Sequence, residues 1–251
     1  MTQRKNQILD YIYQYGELSV QELSDLLGAS EPTIRRELVK LNSFRFIERT
    51  RGGVRLATVV NSDSLPIYRL PVNKKEVLVI AYIAAQLVKP GSVIGLSGGQ
   101  LCTQLALNLR HRSNITVVTN AVNIAVELAC IQDLNVVLTR GRLNPSSFEL
   151  VGSSVSRSLA GLHIDQFFLG TDGLSMEYGV TGHDEAEASV ASSFMKIADR
   201  TVVLADSIKF KKVSFSQVAP IDIIDTIITT EAAPHEIVDQ IKASGVKIVY
   251  A

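Results

Sequence analysis

The sequence predicts two domains of different class: an N-terminal winged helix-turn-helix of the α+β class, followed by a larger α/β domain. The first prediction rests on short amphipathic helical segments that glycines separate within residues 1–57. The second rests on β-rich and helical segments that alternate over residues 73–251. Residues 58–72 have no clear periodicity and contain Pro66 and Pro71, which predicts an interdomain linker.

The composition is that of a globular protein. Hydrophobic residues make up 46% and charged residues 20% of the 251 residues, which is ordinary for a chain with a proper core. No apolar run approaches the ~18–20 residues that span a bilayer, and the N-terminus does not resemble a signal peptide. We therefore expect a cytoplasmic protein with no membrane partner.

The cysteines and histidines do not suggest a disulfide or a metal site. Cys102 and Cys130 lie in unrelated segments, which predicts reduced thiols. The histidines lack metal-ligand spacing, so neither a metal nor another cofactor is expected.

The first two predicted helices have clear start and stop signals. Apolar residues recur with helical spacing over residues 3–15, and Gly16 ends that segment. Ser19 and Glu22 have the spacing of a capping box, so a short second helix begins there. Gly28 follows it, and a glycine can adopt the left-handed conformation that such a tight turn requires.

A third helix begins at Ser30, with Pro32 in its first turn, where proline is tolerated. Ile34, Leu38 and Leu41 form its apolar stripe and are expected to face the core. This leaves an outward face that we predict to contact DNA as a recognition helix. The predicted contacts on this face are Ser30, Glu31, Thr33, Arg35, Arg36 and Lys40.

A hairpin is predicted after this helix. Phe44–Arg49 and Val54–Leu56 are strand-like runs joined through Thr50–Gly53, as in the wing of a winged helix. Arg49 and Arg51 would lie along phosphates or in the minor groove.

The charge distribution supports this interpretation. From Ser30 to Ala57, seven basic residues stand against three acidic ones, although the formal net charge of the whole chain is zero. Such a local surplus is expected of a small DNA-binding module next to a neutral domain. The alternative is a generic helical subdomain whose hairpin contacts other proteins.

The remainder of the chain alternates between strand-like and helical patterns after a helix that starts near Asn73, which predicts helices packed on a sheet. The strand-like runs are Ser92–Leu96, Ile115–Thr119, Asn135–Leu138, Gln166–Leu169, Val202–Ala205, Ile223–Thr229 and Val246–Val249. The helical patterns are Leu101–His111, Ala121–Ile131, Glu149–Leu162, Glu185–Ala198 and His235–Ala243.

Ligands of such sheets bind at the carboxyl ends of the strands. The two glycines of Ser97–Gln100 lie between a strand and a helix, where exposed amides favour a phosphate, although a plain tight turn fits the same residues. The segment lacks the dinucleotide and Walker spacings. Phosphate, amide and carboxylate contacts together suit an anionic polyol. The predicted ligand contacts are Ser97, Gly98, Gly99, Gln100, Asn120, Arg140, Asp172, Gly173, Asp184, Glu185 and Lys209.

Several of these segments resemble a known family. Ser19–Leu23, Leu27–Glu31, Thr33–Leu38 and Arg49–Gly53 resemble the N-terminal signature of DeoR-type repressors of sugar metabolism. Val93–Gly99, Val117–Ala121, Phe168–Gly173, His183–Ala188 and Ala205–Lys209 look like the sensor domain of the same regulators, most like the N-acetylgalactosamine and amino-sugar branch.

The resemblance implies a transcriptional repressor of a sugar or amino-sugar operon. It would bind double-stranded operator DNA through residues 1–57 and be released by a phosphorylated sugar, with an amino-sugar 6-phosphate first in line. Residues 73–251 would form the sensor and oligomerisation domain, with a fold similar to ribose-5-phosphate isomerase, in a homodimer or homotetramer. The chain departs from the family pattern at Glu37, at Phe44-Arg45 and at Gln100–Cys102, where consecutive threonines are usual.

Two alternatives stay open at this point. One is a sugar-phosphate isomerase with an added DNA-binding domain, since Asp172 and Glu187 roughly match acidic positions of that enzyme. Its second acid is replaced by Leu174-Ser175, and its lysine has no counterpart in Gly179–Gly182, so we expect no enzymatic activity. The other is a DNA-binding scaffold whose large domain only oligomerises.

Overall fold

The computed structural model describes residues 7–8, 11–12, 15–43, 47–50, 53–56 and 73–251. The chain divides into two compact units, residues 1–65 and 66–251, each with its own core. The predicted linker over residues 58–72 and the predicted wing residue Arg51 lie outside the described residues. No helix among the described residues is long and apolar enough to span a membrane.

The N-terminal unit is a small helical domain with a three-stranded antiparallel sheet. Residues 7–8, 11–12 and 15 are helical. The elements that follow are β1 (Glu17–Leu18), α1 (Val20–Leu27), α2 (Glu31–Ser43), β2 (Ile47–Arg49) and β3 (Val54–Leu56). The sheet has the order β1-β3-β2, so the hairpin pairs with a short strand that precedes α1. We did not predict β1 from the sequence, because two residues are too few to show a period.

The predicted start and stop signals of α1 are confirmed. Glu22 N donates to Ser19 Oγ at 3.1 Å, and Ser19 N donates to Glu22 Oε2 at 2.8 Å, which completes the capping box. Gly28 ends the helix at a φ of +58°. Gly53 allows β3 to approach β1, because a Cβ there would lie 2.2 Å from Leu18 O.

The second unit is an α/β domain. Its helices are α3 (Lys74–Leu87), α4 (Gly99–Asn108), α5 (Val122–Leu128), α6 (Ser153–Leu159), α7 (Glu185–Met195) and α8 (His235–Ala243). Its strands are β4 (Val93–Leu96), β5 (Ile115–Thr119), β6 (Leu134–Leu138), β7 (Arg142–Asn144), β8 (Glu149–Val151), β9 (Gln166–Gly170), β10 (Gly173–Ser175), β11 (Gly179–Gly182), β12 (Thr201–Leu204), β13 (Ser216–Ala219), β14 (Thr226–Thr229) and β15 (Lys247–Tyr250).

Seven of these strands form a parallel sheet in the order β15-β14-β12-β9-β4-β5-β6. Residues of α3, α4 and α5 fill the core on one face, and residues of α6, α7 and α8 fill it on the other. Phe167 and Phe168 are both fully buried, one in each core, as the two-residue period of a strand requires. The predicted fold class is thus confirmed.

The strand order places a crevice at one point in this sheet. From β4 the chain moves outward through β5 to β6, and then returns to β9 on the other side of β4 before it continues outward through β12. The connections therefore diverge between β4 and β9. In open α/β sheets, ligands bind at the carboxyl ends of the strands at such a point.

The predicted helix over Glu149–Leu162 is wrong in its first turn. Residues Glu149–Val151 form β8, which pairs with β7 as a hairpin, and the helix covers only Ser153–Leu159. Gly152 has a φ of +99° and therefore separates the strand from the helix. A second addition is a small antiparallel sheet in the order β10-β11-β13, beside the large one.

Candidate functional site

The outward face of α2 carries the predicted DNA contacts. Arg35, Arg36 and Lys40 are exposed, whereas the apolar stripe of the same helix is buried. Arg35 Nη2 lies 3.1 Å from Glu31 Oε2, one turn away, and both side chains are well exposed. An exposed pair of this kind stabilises a helix weakly. Breaking this pair would therefore cost little energy, which leaves Arg35 available for its predicted DNA contact.

The start of α2 is polar and close to the exposed arginines. Ser30 Oγ lies 3.0 Å from Thr33 Oγ1, and Thr33 N donates to Ser30 O at 2.9 Å. Recognition helices present their N-terminal residues to base edges. The structure thus brings together the six residues of α2 and its N-terminal flank that the sequence predicts to contact DNA.

The hairpin is anchored at its base. Arg49 is exposed at the end of β2, next to Thr50, whose hydroxyl donates to the Glu17 carboxylate on β1. Gly53 N donates to Thr50 Oγ1 at 2.9 Å, which closes the turn. The position of Arg49 fits a wing, and the predicted contact of Arg51 stays a prediction.

Ser97 lies at the crevice, and its hydroxyl makes hydrogen bonds within the protein. It is 7% exposed, and its Oγ accepts a hydrogen bond from Gly170 N at 3.1 Å, which joins the carboxyl ends of β4 and β9. Cys102 Sγ is 3.4 Å from Ser97 Oγ and donates to Phe168 O at 3.5 Å. Burial raises the pKa of the Cys102 thiol to about 12, so the thiol stays protonated. The buried Ser97 hydroxyl therefore holds the wall of the crevice together.

Gly98 packs against a residue that sequence reasoning missed. A Cβ at Gly98 would lie 2.3 Å from Glu149 Oε1, so the carboxylate of Glu149 occupies the space beside this glycine. The backbone amide of Gly98 also lowers the pKa of this carboxyl group. Asn120, fully buried, donates from Nδ2 to Glu149 Oε2 at 2.9 Å and to Leu150 O at 3.1 Å. Gly99 is exposed at the N-terminus of α4, with a φ of +86°.

Glu149 is a buried carboxyl group in an acidic environment. Its burial, together with repulsion by Glu187 and Asp172, raises its pKa to about 7, against hydrogen bonds from Asn120 and Gly98 that lower it. At neutral pH this group gains or loses a proton easily. The sequence contains one indication of a buried acid here, because Glu149 stands within the apolar run Phe148–Val151. The predicted helix over this segment does not place Glu149 at the strand ends.

Glu187 extends the acidic cluster from α7. Its carboxylate accepts hydrogen bonds from Asn144 Nδ2 at 2.8 Å and from the Ser147 hydroxyl. Burial, followed by repulsion from Asp184 and Asp172, raises its pKa against these hydrogen bonds. Asp184 caps the same helix, since Glu187 N donates to its Oδ1 at 3.0 Å. The structure therefore gathers four carboxylates here, those of Glu149, Asp172, Asp184 and Glu187.

Lys209 brings a positive charge to this edge of the sheet. Its Nζ lies 3.7 Å from Asp172 Oδ1, and His183 N donates to Asp172 Oδ2 at 3.2 Å. Lys209 ends a short 3-10 turn, Ser207–Lys209, that follows β12. The structure thus brings Asp172 and Lys209 together at the ends of neighbouring strands, as the sequence predicts.

Other predicted ligand contacts lie elsewhere or serve the fold. Arg140 is exposed after the edge strand β6. Gly173 is buried in β10, where a Cβ would lie 2.6 Å from Lys212 O. Glu185 lines an open groove of about 440 Å³ along α7 and β13, beside Phe215, and the strand-end carboxylates do not line it. Gln100 is half-buried in the first turn of α4.

Comparison with known proteins identifies a family for both units of the chain. Residues 4–60 match the DeoR-like helix-turn-helix domain, and residues 72–231 match the DeoR C-terminal sensor domain. The chain is 29% identical, over 99% of its length and 93% of the relative, to a protein of Escherichia coli O157:H7 named as a repressor of the aga operon. It is 31% identical, over 96% of its length and 93% of the relative, to the transcriptional repressor GlcR of Bacillus subtilis.

Among solved structures, the chain is similar to ribose 5-phosphate isomerase of Methanocaldococcus jannaschii, with a TM-score of 0.42, 19% identity and coverage of 55% of each chain. The two family matches together cover most of the sequence, and the relatives match nearly end to end. The chain therefore belongs to the DeoR family of transcriptional regulators.

Proposed function

We propose that this protein is the repressor of a sugar or amino-sugar utilisation operon, released from its operator by a phosphorylated sugar. One observation carries the proposal: the same chain holds an exposed cationic helix face in a helix-turn-helix and a strand-end site that pairs Lys209 with a carboxylate. We assign residues 1–57 to DNA binding, 58–72 to a linker and 73–251 to sensing and assembly. The protein would act in the cytoplasm as a homodimer or homotetramer, since palindromic operators require paired recognition helices.

Different groups of the strand-end site suit different parts of a sugar phosphate. Lys209, with Gly99 and the N-terminus of α4, would bind the phosphate, because a helix N-terminus and a lysine both favour an anion. The carboxylates of Glu149, Asp172 and Glu187 would accept hydrogen bonds from hydroxyl or amino groups. The Glu149 carboxylate occupies the space beside Gly98, so a phosphate would have fewer backbone amides to bind than the sequence suggests.

Asn120 supports a polar ligand at the carboxylate end. Its Oδ1 is buried and accepts no hydrogen bond within the part of the chain that the structure describes. A buried amide oxygen without a partner is costly, and a hydroxyl or amino group of a ligand would satisfy it. The aga operon of one relative favours an amino sugar as the first ligand to test.

One observation favours an enzyme instead. A buried carboxyl group with a pKa near 7, such as Glu149, has the proton affinity of a general base. We nevertheless propose a sensor without catalytic activity, because Leu174-Ser175 and Gly179–Gly182 lack the second acid and the lysine of the isomerase. Isomerase assays with aldose and ketose phosphates test the alternative, and turnover above the uncatalysed rate would support it.

Thermal-shift measurements with a panel of sugar phosphates test the effector. The panel contains galactosamine 6-phosphate, N-acetylgalactosamine 6-phosphate, glucosamine 6-phosphate and their unphosphorylated parents. A true effector stabilises the folded protein by mass action and so raises its melting temperature. At a concentration 100 times its Kd, it adds about 2.7 kcal/mol to the free energy of unfolding. It should also release the protein from DNA selected out of a random-sequence pool. Equal stabilisation by the phosphorylated and parent sugars would contradict a phosphate contact.

A further inference from the structure

Glu76 connects the start of α3 to two strand ends far away in sequence. Its Oε2 accepts hydrogen bonds from Ser207 N at 2.9 Å and from Thr230 Oγ1 at 2.6 Å, and its Oε1 accepts one from Ser207 Oγ at 2.8 Å. Ser207 follows β12 and Thr230 follows β14. One carboxylate thus holds the first turn of α3 against two loops at the carboxyl edge of the sheet.

This arrangement is not what α3 needs for its own stability. Glu76 is the third residue of the helix, the position from which a glutamate usually bonds back to the N-cap. Asn73, at the N-cap, makes no side-chain capping bond, and Glu76 points its carboxylate to Ser207 and Thr230. Burial would raise the pKa of Glu76, but the hydrogen bonds from Thr230 and Ser207 outweigh it and lower the pKa. The carboxylate is therefore held in its charged form.

The turn that Glu76 holds also carries Lys209. Asp206 begins that turn and is 5% exposed, and its Oδ1 has no hydrogen-bond partner within the described residues. Burial raises the pKa of Asp206, Lys209 and Lys212 lower it, and the charge of Glu76 raises it further. Two carboxylates, those of Asp206 and Glu76, therefore repel each other, and Lys209 offsets that repulsion.

We infer that Glu76 couples the effector site to the start of the sensor unit. The inference rests on the proposed function, because it needs an effector phosphate at Lys209. A phosphate that pairs with Lys209 reduces the positive charge available to Asp206. Asp206 and Glu76 then repel each other more strongly, and the bonds from Ser207 to Glu76 weaken. The bonds that weaken hold the first turn of α3. Because α3 is the first helix after residues 58–72, the effect lies next to the predicted linker to the DNA-binding unit. Glu76 is thus a positioning residue.

Glu76→Ala tests the inference in the full-length protein. If the bonds to Glu76 are formed in the operator-binding conformation and weakened in the effector-bound one, removing them shifts the protein away from the first conformation and towards the second. Breaking it should weaken binding to the selected DNA without any sugar, within the ~5- to 150-fold range of typical couplings. It should also tighten the binding of whichever sugar phosphate of the panel binds the wild-type protein. A loss of structure alone would weaken both, so calorimetry with the sugar phosphates separates the two explanations.

Glu76→Gln adds a second, milder variant. Glutamine keeps one acceptor for Ser207 but removes the charge that faces Asp206, so operator binding should persist while release by the sugar phosphate is lost. Glu177→Gln, an exposed carboxylate outside the site, is the control and should behave as the wild type. Unchanged operator affinity in Glu76→Ala, or normal release in Glu76→Gln, would overturn the inference. A wild-type protein that binds no sugar phosphate contradicts the proposed effector and, with it, the coupling. A wild-type protein that binds and responds to one, while both Glu76 variants behave as the control does, contradicts the coupling alone.

Discussion

Glu149 lies against Gly98: the carboxylate of one fills the space where a side chain of the other would be. This contact joins the β7–β8 hairpin to the turn after β4, at the point where the strand order diverges. The shape of the candidate ligand crevice therefore depends on a glycine and an acid that are 51 positions apart in the sequence.

Gly98→Ala and Gly99→Ala should have different effects. The Gly98 variant places a Cβ on the Glu149 carboxylate, so we expect a loss of ~1–3 kcal/mol of unfolding free energy from overpacking and a weaker effector affinity. The Gly99 variant has open space around its Cβ but a φ of +86°, so only backbone strain of about 1 kcal/mol is expected. Urea unfolding measures the loss of unfolding free energy in each variant, and calorimetry measures the change in effector affinity. A Gly98→Ala variant that binds the effector as tightly as the wild-type protein would contradict the role of the Gly98 contact.

The pKa of Glu149 predicts a specific pH dependence of stability. The folded-state pKa lies near 7 and above the ordinary value of 4.5, so the folded protein binds more protons than the unfolded chain between these values. The free energy of unfolding therefore falls as the pH rises through this window, by up to a few kcal/mol for a shift of this size. Urea unfolding between about pH 5 and 8 measures it. Glu149→Gln should remove most of this slope, and an unchanged slope would contradict the assignment.

Lys209→Ala should weaken the binding of a phosphorylated sugar and leave its unphosphorylated parent unaffected. A charge-assisted hydrogen bond contributes about 1.5–3 kcal/mol, so a loss of roughly 10- to 150-fold in affinity is expected. Lys211→Ala is the matched control, because Lys211 pairs with Glu236 at the surface. An equal loss for both sugars would indicate a structural effect instead of a phosphate contact.

Arg35→Ala and Arg36→Ala should weaken binding to the selected DNA. An arginine that reads a base contributes ~1–3 kcal/mol at one position of the site. One that contacts only a phosphate weakens all sequences alike and reduces the salt slope by about one. Titrations at several salt concentrations distinguish the two roles, and Arg157→Ala, in α6, serves as the control. If neither α2 variant loses affinity, α2 is not the recognition helix.

Local signals in the sequence predicted the DNA-binding unit well. The capping box at Ser19, the glycine at position 28 and the apolar stripe of α2 are each encoded within a few neighbouring residues, so their structural meaning can be read directly. The order of the parallel strands is not local in this way. The sequence predicted that polar residues follow the strands, but it could not show which strands are neighbours.

The candidate ligand site also depends on which strands are neighbours, which the sequence does not show. Asp172 and Lys209 were predicted because both follow β-rich runs, and their proximity is a consequence of β9 lying next to β12. Arg140 follows a strand as well, but β6 lies at the edge of the sheet. Glu149 was overlooked because its burial depends on a hairpin whose partner strand, β7, is only three residues long.

The contacts of Cys102 make the protein convenient for single-site labelling. Cys102 is fully buried with a protonated thiol, whereas Cys130 is exposed in the turn after α5. A maleimide dye should therefore modify one position in the native protein and a second only after the core opens. The rate of that second modification would report how often the sheet and α4 separate, with no substitution in the chain.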